Sequence, residues 1–312
     1  MRLSVALAIL ALTATVLTSE PAWAEIAAPG ASALPWWAWV LALFVVTFIL
    51  GIVAVVAGVG GGVLFVPIVS GLFPFHLDFV RGTGLLIALA GALAAGPALL
   101  RGGMANLQLA MPLALTASAA ATVGAMLGLI LPDNVIQLAL GTMILGVVGL
   151  MAMTRKSDNP AVAQADALSA VLRMHGVYHD PFTGHDVKWS VHRTPQGLAL
   201  FSFIGVLGGM FGIGAGWANV PALNLVMGVP LKISIGTSSI ILSIANSAAA
   251  WVYLNEGAML AVIAVPSILG MMLGSTIGVG LLSRTNVAII RRVVIVLLLL
   301  AGVRALLKGF GV

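Results

Sequence analysis

Apolar positions in this chain neither alternate nor mark one face of a helix; they run on, interrupted by glycine more often than by charge. Eight runs are long: Trp36 to Ala57, Phe79 to Leu100, Leu107 to Leu131, Val135 to Met153, Gly197 to Phe211, Ile233 to Leu254, Ala258 to Leu282 and Val287 to Leu307. Unbroken apolar runs of about 20 residues suit α-helices that cross a bilayer, whereas a membrane barrel needs short segments of alternating polarity. Two further runs, Val63 to Phe73 and Trp217 to Met227, are short; each follows a glycine cluster and holds a proline, which has no N–H to donate. The pattern predicts an all-α membrane bundle with two broken or re-entrant helices. The one long polar stretch, Thr154 to Gln196, predicts an appendage. It comprises a helix from Asp158-Asn159-Pro160 to about His175, then a hairpin turning at Thr183-Gly184 between Gly176-Val-Tyr-His and Asp186-Val-Lys-Trp-Ser-Val.

Shifted by 154 residues, the chain falls on itself: Gly51 meets Gly205, Gly58 meets Gly212, Gly60 meets Gly214 and Gly62 meets Gly216. Without a gap, Val66-Pro67 then meets Val220-Pro221, Gly82-Thr83 meets Gly236-Thr237, Gly103 meets Gly257, Pro112 meets Pro266 and Gly124 meets Gly278. Glycine, proline and threonine in one register mark an internal duplication. The predicted repeats are 34–153 and 197–308, each with four long spans and one short one, flanking the insert at 154–196.

Positive charge tests whether the short pieces cross the membrane. If they turn back, Arg101, Arg155, Lys156, Arg173, Lys188, Arg193, Arg304 and Lys308 all fall outside, against the usual bias. If they cross, only Arg81, Arg304 and Lys308 fall outside, and the other ten cations beyond the N-terminal segment lie inside. Five crossings per repeat are therefore expected, and an odd number makes the repeats inverted. The insert then faces the cytoplasm.

Composition narrows the class. Hydrophobic residues make up 61% of the chain and charged ones 7%, with mean hydropathy +1.17, so no water-facing surface can be assembled. Thirty-seven glycines suit close helix contacts in lipid. The absence of cysteine excludes disulfides and thiolate metal sites. Although the pI is about 10.2, Arg155, Lys156, Arg284, Arg291, Arg292 and Lys308 sit at the ends of apolar spans, as orientation signals do, so no nucleic-acid partner is implied. At the N-terminus, Arg2, the apolar run Leu3 to Leu17 and Ala22-Trp23-Ala24 before Glu25 predict a signal peptide over 1–24; the alternative is a retained membrane helix. Trp36, Trp37 and Trp39 read as an interfacial belt.

The chemistry is expected at the glycine clusters, Gly58-Val-Gly-Gly-Gly62 and Gly212-Ile-Gly-Ala-Gly216. Unwound backbone is tolerated at membrane depth only where protein buries it or where it lines a cavity, and the helix starting there aims unpaired N–H groups at the break. Gly60, Gly61, Gly62, Gly214, Gly216 and Asn219 are thus candidate anion-binding residues, unless the glycines serve only helix packing. Gly82-Thr83 and Gly236-Thr237-Ser238 offer hydroxyls at the next helix start, where capping is the alternative. Asn246 lies deep in a span and either bonds a neighbouring helix or faces the pathway. Arg81 and Lys232 read as interfacial side chains that snorkel. No acidic residue lies within a span, and no HExxH, Walker motif or Ser-His arrangement appears, so a carboxylate proton relay and enzymatic hydrolysis are disfavoured. His175, His179, His185 and His192 match no metal spacing, and no cofactor or metal is expected.

The duplicated Gly-x-Gly-x-Gly with its Val-Pro, the Gly228-Val-Pro230 and Gly236-Thr-Ser238 motifs, and the insert's Tyr-His-Asp-Pro-Phe-Thr-Gly make the chain resemble the TauE/SafE sulfite exporter family from about Ala42 to Leu307. The resemblance implies an inner-membrane permease that exports small anions such as sulfite, sulfoacetate or thiosulfate, with the glycine motif carried onto Gly58, Gly60, Gly61, Gly62, Gly212, Gly214 and Gly216. Departures between the halves, Arg81-Gly-Thr-Gly against Ile235-Gly-Thr-Ser and Ala215 in the second cluster, argue against equivalent half-sites. An anion channel and a non-transporting membrane assembly or anchoring protein are the alternative functions, and a homo-oligomer is compatible with all three. A reporter fused near Asp166 should be cytoplasmic; a periplasmic signal would overturn the inverted arrangement.

Overall fold

The computed structural model describes residues 36–57, 60–73, 75–101, 103, 105–153, 166–180, 185–214, 216–282 and 287–310. The expected signal peptide and the start of the insert helix at Asp158 lie outside them. Among the described residues, eleven α-helices and one hairpin follow in order: α1 Trp36–Ala57, α2 Gly61–Leu72, α3 Leu77–Arg101, α4 Leu107–Ile130, α5 Asp133–Met153, α6 Ala167–Val171, β1 His175–Asp180, β2 His185–Ser190, α7 Thr194–Phe211, α8 Gly216–Pro221, α9 Leu231–Asn255, α10 Ala261–Leu282 and α11 Val287–Gly309. A π-helical turn, Ala222–Val226, prolongs α8. Six helices (α1, α3, α4, α7, α9 and α10) are long and apolar enough to cross a membrane, and Gly61–Gly71 and Asp133–Gly149 form shorter apolar helices. The protein is an all-α polytopic membrane bundle.

The 154-residue shift reappears in the elements: α9 begins and ends that far beyond α3. Gly103 and Gly257, which it pairs, turn the chain after these helices with φ of 64° and 68°. Asn106 starts α4 by accepting the Leu109 N–H at 2.8 Å through its side chain, a common N-cap arrangement.

Specific contacts fix the direction of each helix. At one end of the bundle, the first face, Trp39 in α1 lies 5.6 Å from the Phe73 ring just after α2, and His76 before α3 lies 3.6 Å from Asp133 of α5. The break and α2 therefore return the chain to the face where α1 began. Twelve residues of α2 rise only about 18 Å, less than the roughly 30 Å of a hydrocarbon core, so the break sits part-way through the bundle. In the second repeat, His192 ahead of α7 donates its N–H to Met227 after the π turn at 3.2 Å, so this short segment also returns to its starting face.

Helices paired by the 154-residue shift meet head to tail. Gly82, early in α3, packs on Tyr253 and Ala258 at the end of α9, while the Asn106 N–H after α3 donates to Thr237 Oγ1 near the start of α9 at 3.2 Å. In the same way, Leu138 of α5 meets Gly309 of α11, and Ile144 meets Gly302. Close approach rests on small residues. A Cβ on Gly209 of α7 would collide with the Ala121 carbonyl of α4, one on Gly124 of α4 with the Val206 carbonyl, and one on Gly51 of α1 would stand 2.7 Å from the Met271 carbonyl of α10. Through these contacts α4 joins the second repeat and α10 the first. The halves interlock.

In the insert, α6 stops at Val171 rather than near His175, because Arg173 takes a left-handed φ of 54° and turns the chain into β1. β1 and β2 pair antiparallel, with His175 opposite Ser190, and Met174, Trp189 and Val191 are buried with Phe201 and Met227 of the bundle. Asp166 ties the insert to α7, accepting from Thr194 Oγ1 at 2.7 Å and the Thr194 N–H at 3.2 Å. Burial pushes the Asp166 carboxyl up, but hydrogen bonds from Thr194 and Ser169 outweigh it and leave the group below its ordinary value. Such a lowered pKa stabilises the folded form above the unfolded value of about 3.9 and is lost as pH falls through the folded one.

Gly209→Ala should lower the thermal stability of detergent-solubilised protein by on the order of 1–3 kcal/mol through overpacking. Gly91→Ala in α3, where a Cβ meets nothing within 4 Å, should be neutral or gain roughly 0.5–1 kcal/mol. Amide exchange in β1 and β2, corrected for its intrinsic pH dependence, should rise below about pH 4 in the wild type; Asp166→Ala should raise it at neutral pH and flatten the profile.

Candidate functional site

The two glycine clusters break the helices differently. After α7, Gly212 and Gly214 take φ of 69° and 68°, a left-handed turn that only glycine adopts without strain, and α8 starts at Gly216. Before α2, Gly60 has φ −59° and ψ 142°, an extended conformation open to any residue. The half-sites are thus not equivalent. Gly58, Val59 and Ala215 lie outside the described residues.

The breaks touch. A Cβ on Gly60 would stand 3.6 Å from the Gly216 Cα, and one on Gly216 would stand 3.4 Å from the Gly60 Cα. Beside this contact, Gly214 faces Ala88 of α3 and the Asn246 amide of α9, at 3.0 and 3.1 Å from its Cβ position, and Gly216 faces Leu242 at 3.3 Å. Gly61 abuts the flexible end of Met271 and Ile87. Gly62 is different: its Cβ position is 2.5 Å from the Ile213 carbonyl and 2.9 Å from that of Gly84. There the glycine allows backbone to cross backbone.

Several buried polar atoms find no protein partner. Both amide atoms of Asn219, the Asn246 Nδ2, the Thr83 Oγ1 and the Trp217 Nε1 are buried without a hydrogen bond, although Asn219 and Thr83 are fully inaccessible and Asn246 is 2% exposed. An unmet buried group costs about 1–3 kcal/mol, so a set of them calls for water or a ligand.

Other sequence candidates lie apart from this locus. Gly82 packs on Ala258, Met259 and Tyr253, and Thr237 already accepts the Asn106 N–H. Gly236 and Ser238 are buried beside it in α9. Trp217 was visible only as the first residue of a short apolar run; its ring N–H next to a glycine break was the available signal. Among the described residues, no group of three or more His, Asp or Glu side chains could hold a metal ion.

Arg81 does not snorkel. It is 1% exposed and the largest fully buried side chain among the described residues. Its Nη1 donates to the Gly128 carbonyl at 2.9 Å and the Met210 carbonyl at 3.2 Å, its Nη2 pairs with Asp78, and the guanidinium lies 5.9 Å from the Tyr253 ring centre. Tyr253 donates its hydroxyl to the Gly209 and Met210 carbonyls at 3.1 and 3.2 Å. The side chain turns inward because Asp78, one turn back, supplies a counter-charge, and the carbonyl ends of α4 and α7 supply negative partial charge.

Apolar helices in number, two of them interrupted at mid-bundle with the breaks in contact, define a multi-pass membrane protein of the transporter class. The chain belongs to the TauE/SafE sulfite exporter family, whose model, described as Sulfite exporter TauE/SafE, matches residues 43–305. Members are anion transporters and not enzymes, and this chain is a multi-pass protein of the bacterial inner membrane. It is similar to the "Probable membrane transporter protein YunE" of Bacillus subtilis (strain 168), at 23% identity over 85% of this chain and 98% of that protein. It is also similar to the "Probable membrane transporter protein ORF9" of Sinorhizobium sp, at 34% identity over 34% of this chain and 40% of that one. No solved structure gives a significant match.

Proposed function

We propose that the chain is a secondary transporter that exports small anions, sulfite or organosulfonate in type, through a site between the two glycine breaks of inverted repeats. The observation that carries this reading is the contact of Gly60 with Gly216, each at an interrupted helix and each from a different repeat. Inversion is supported by the head-to-tail packing of the duplicated pairs α3 with α9 and α5 with α11, and by the return of both short segments to the face where their repeat began. Each repeat then crosses five times and leaves the insert on the cytoplasmic side. An anion suits the locus because its unpartnered groups include amide, indole and hydroxyl donors, and α2 starts there with its positive dipole end. Neutral donors hold a negative solute without an intramembrane cation that would bind it too tightly to release.

Counterflow in proteoliposomes across sulfite, thiosulfate, sulfoacetate and small carboxylates tests the reading. At least one anion should show saturable uptake, which a channel would not. Gly61→Leu and Asn219→Leu should reduce it by at least about tenfold, the effect of losing roughly 1.4 kcal/mol. Gly60→Ala, whose backbone and surroundings accept a methyl group, should fold normally yet weaken uptake by narrowing the gap between the breaks. Wild-type rates in both leucine variants would remove the site while leaving the permease.

A further inference from the structure

We infer that Arg81 and Tyr253 form a latch that closes the pathway at the first face. The inference rests on the transport reading above. The latch joins the repeats: Arg81 of α3 holds the Met210 carbonyl at the end of α7, and Tyr253 of α9 holds the carbonyls of Gly209 and Met210. These carbonyls lie in the last turn before Gly212, so the latch grips the helix end from which the second break unwinds. Arg81 also holds Gly128 at the end of α4, which fastens three helix ends to one side chain.

The duplication supplies an internal control. The register that pairs the repeats places Ile235 opposite Arg81 and Leu99 opposite Tyr253, so the other mouth has no cation or hydroxyl at these positions. Ile235 is 44% exposed where Arg81 is 1% exposed. An arrangement present once in a duplicated frame is more than packing requires. Asp78 lies between Arg81 and solvent, pairing Arg81 on one side and standing 3.4 Å from His76 on the other, so the latch has a wet outer edge. Ala88 lies seven residues, or about 10 Å, further along the same face of α3, against Gly214 at the break. A solute moving along this face of α3 toward the breaks would pass the latch.

The cysteine-free chain allows a direct test. Ala88→Cys protein in oriented proteoliposomes is treated with a membrane-impermeant maleimide added to either face. Labelling from the first face should be slow with the latch intact, rise about tenfold with Arg81→Met and about threefold with Tyr253→Phe, and stay unchanged from the opposite face. Equal labelling with and without the latch, or a rise from both faces alike, would overturn the inference; the second result would mark a general loosening. If Arg81→Met does not survive solubilisation as a monodisperse species, Tyr253→Phe decides alone, since it removes one hydroxyl. Face-specific labelling without saturable counterflow would sustain the latch and sink the transport assignment; saturable counterflow with latch-independent labelling would do the reverse.

Discussion

In a hydrocarbon solvent, every backbone N–H and C=O must find its partner inside the protein, and a helix is the simplest way to provide one. This protein breaks that arrangement twice, between α1 and α2 and between α7 and α8, and most of its architecture can be understood as the consequence. The breaks are pressed against each other; the first also meets α3 and α10, and the second α3 and α9. Glycine makes this possible in two distinct ways. At Gly212 and Gly214 it supplies a left-handed backbone, whereas at Gly62 and Gly84 it removes the side chain that would keep two main chains apart.

Five of the nine buried side-chain polar atoms without a partner among the described residues belong to four side chains. Asn219, Asn246, Thr83 and Trp217 hold donor atoms that the fold buries and does not use. Left alone, they are a liability of several kcal/mol, because lipid offers no compensation. Keeping them fits the proposed transient binding of a solute without a fixed charge. A buried lysine at such a place would favour tight capture, and tight capture opposes release.

Interlocking of the repeats has a mechanical side. α4 packs on α7 and α10 on α1 through glycine and alanine, so each repeat lends a helix to the other and the two cannot separate as domains. The short helices between them have few turns and carry internal prolines at Pro67 and Pro221. The charged knot around Arg81 holds the end of α7, the helix that leads into the second break. Electrostatics and topology thus meet at one mouth of the bundle.

Much of this was legible from residue order. Uninterrupted apolar runs specified membrane helices, since their composition leaves no aqueous alternative, and the register of glycine, proline and threonine pointed to a duplication because those residues encode backbone geometry that drift in apolar side chains cannot disguise. The meeting of Gly60 with Gly216, the sorting of glycines into Gly60 and Gly214 beside the polar locus and Gly62 and Gly84 in backbone crossings, and the burial of Arg81 were decided only by tertiary structure. The reason is physical: a local sequence records what conformation a residue permits, but whether its open side faces a ligand, another main chain or a carbonyl cluster depends on elements more than a hundred residues away, as Met210 is from Arg81.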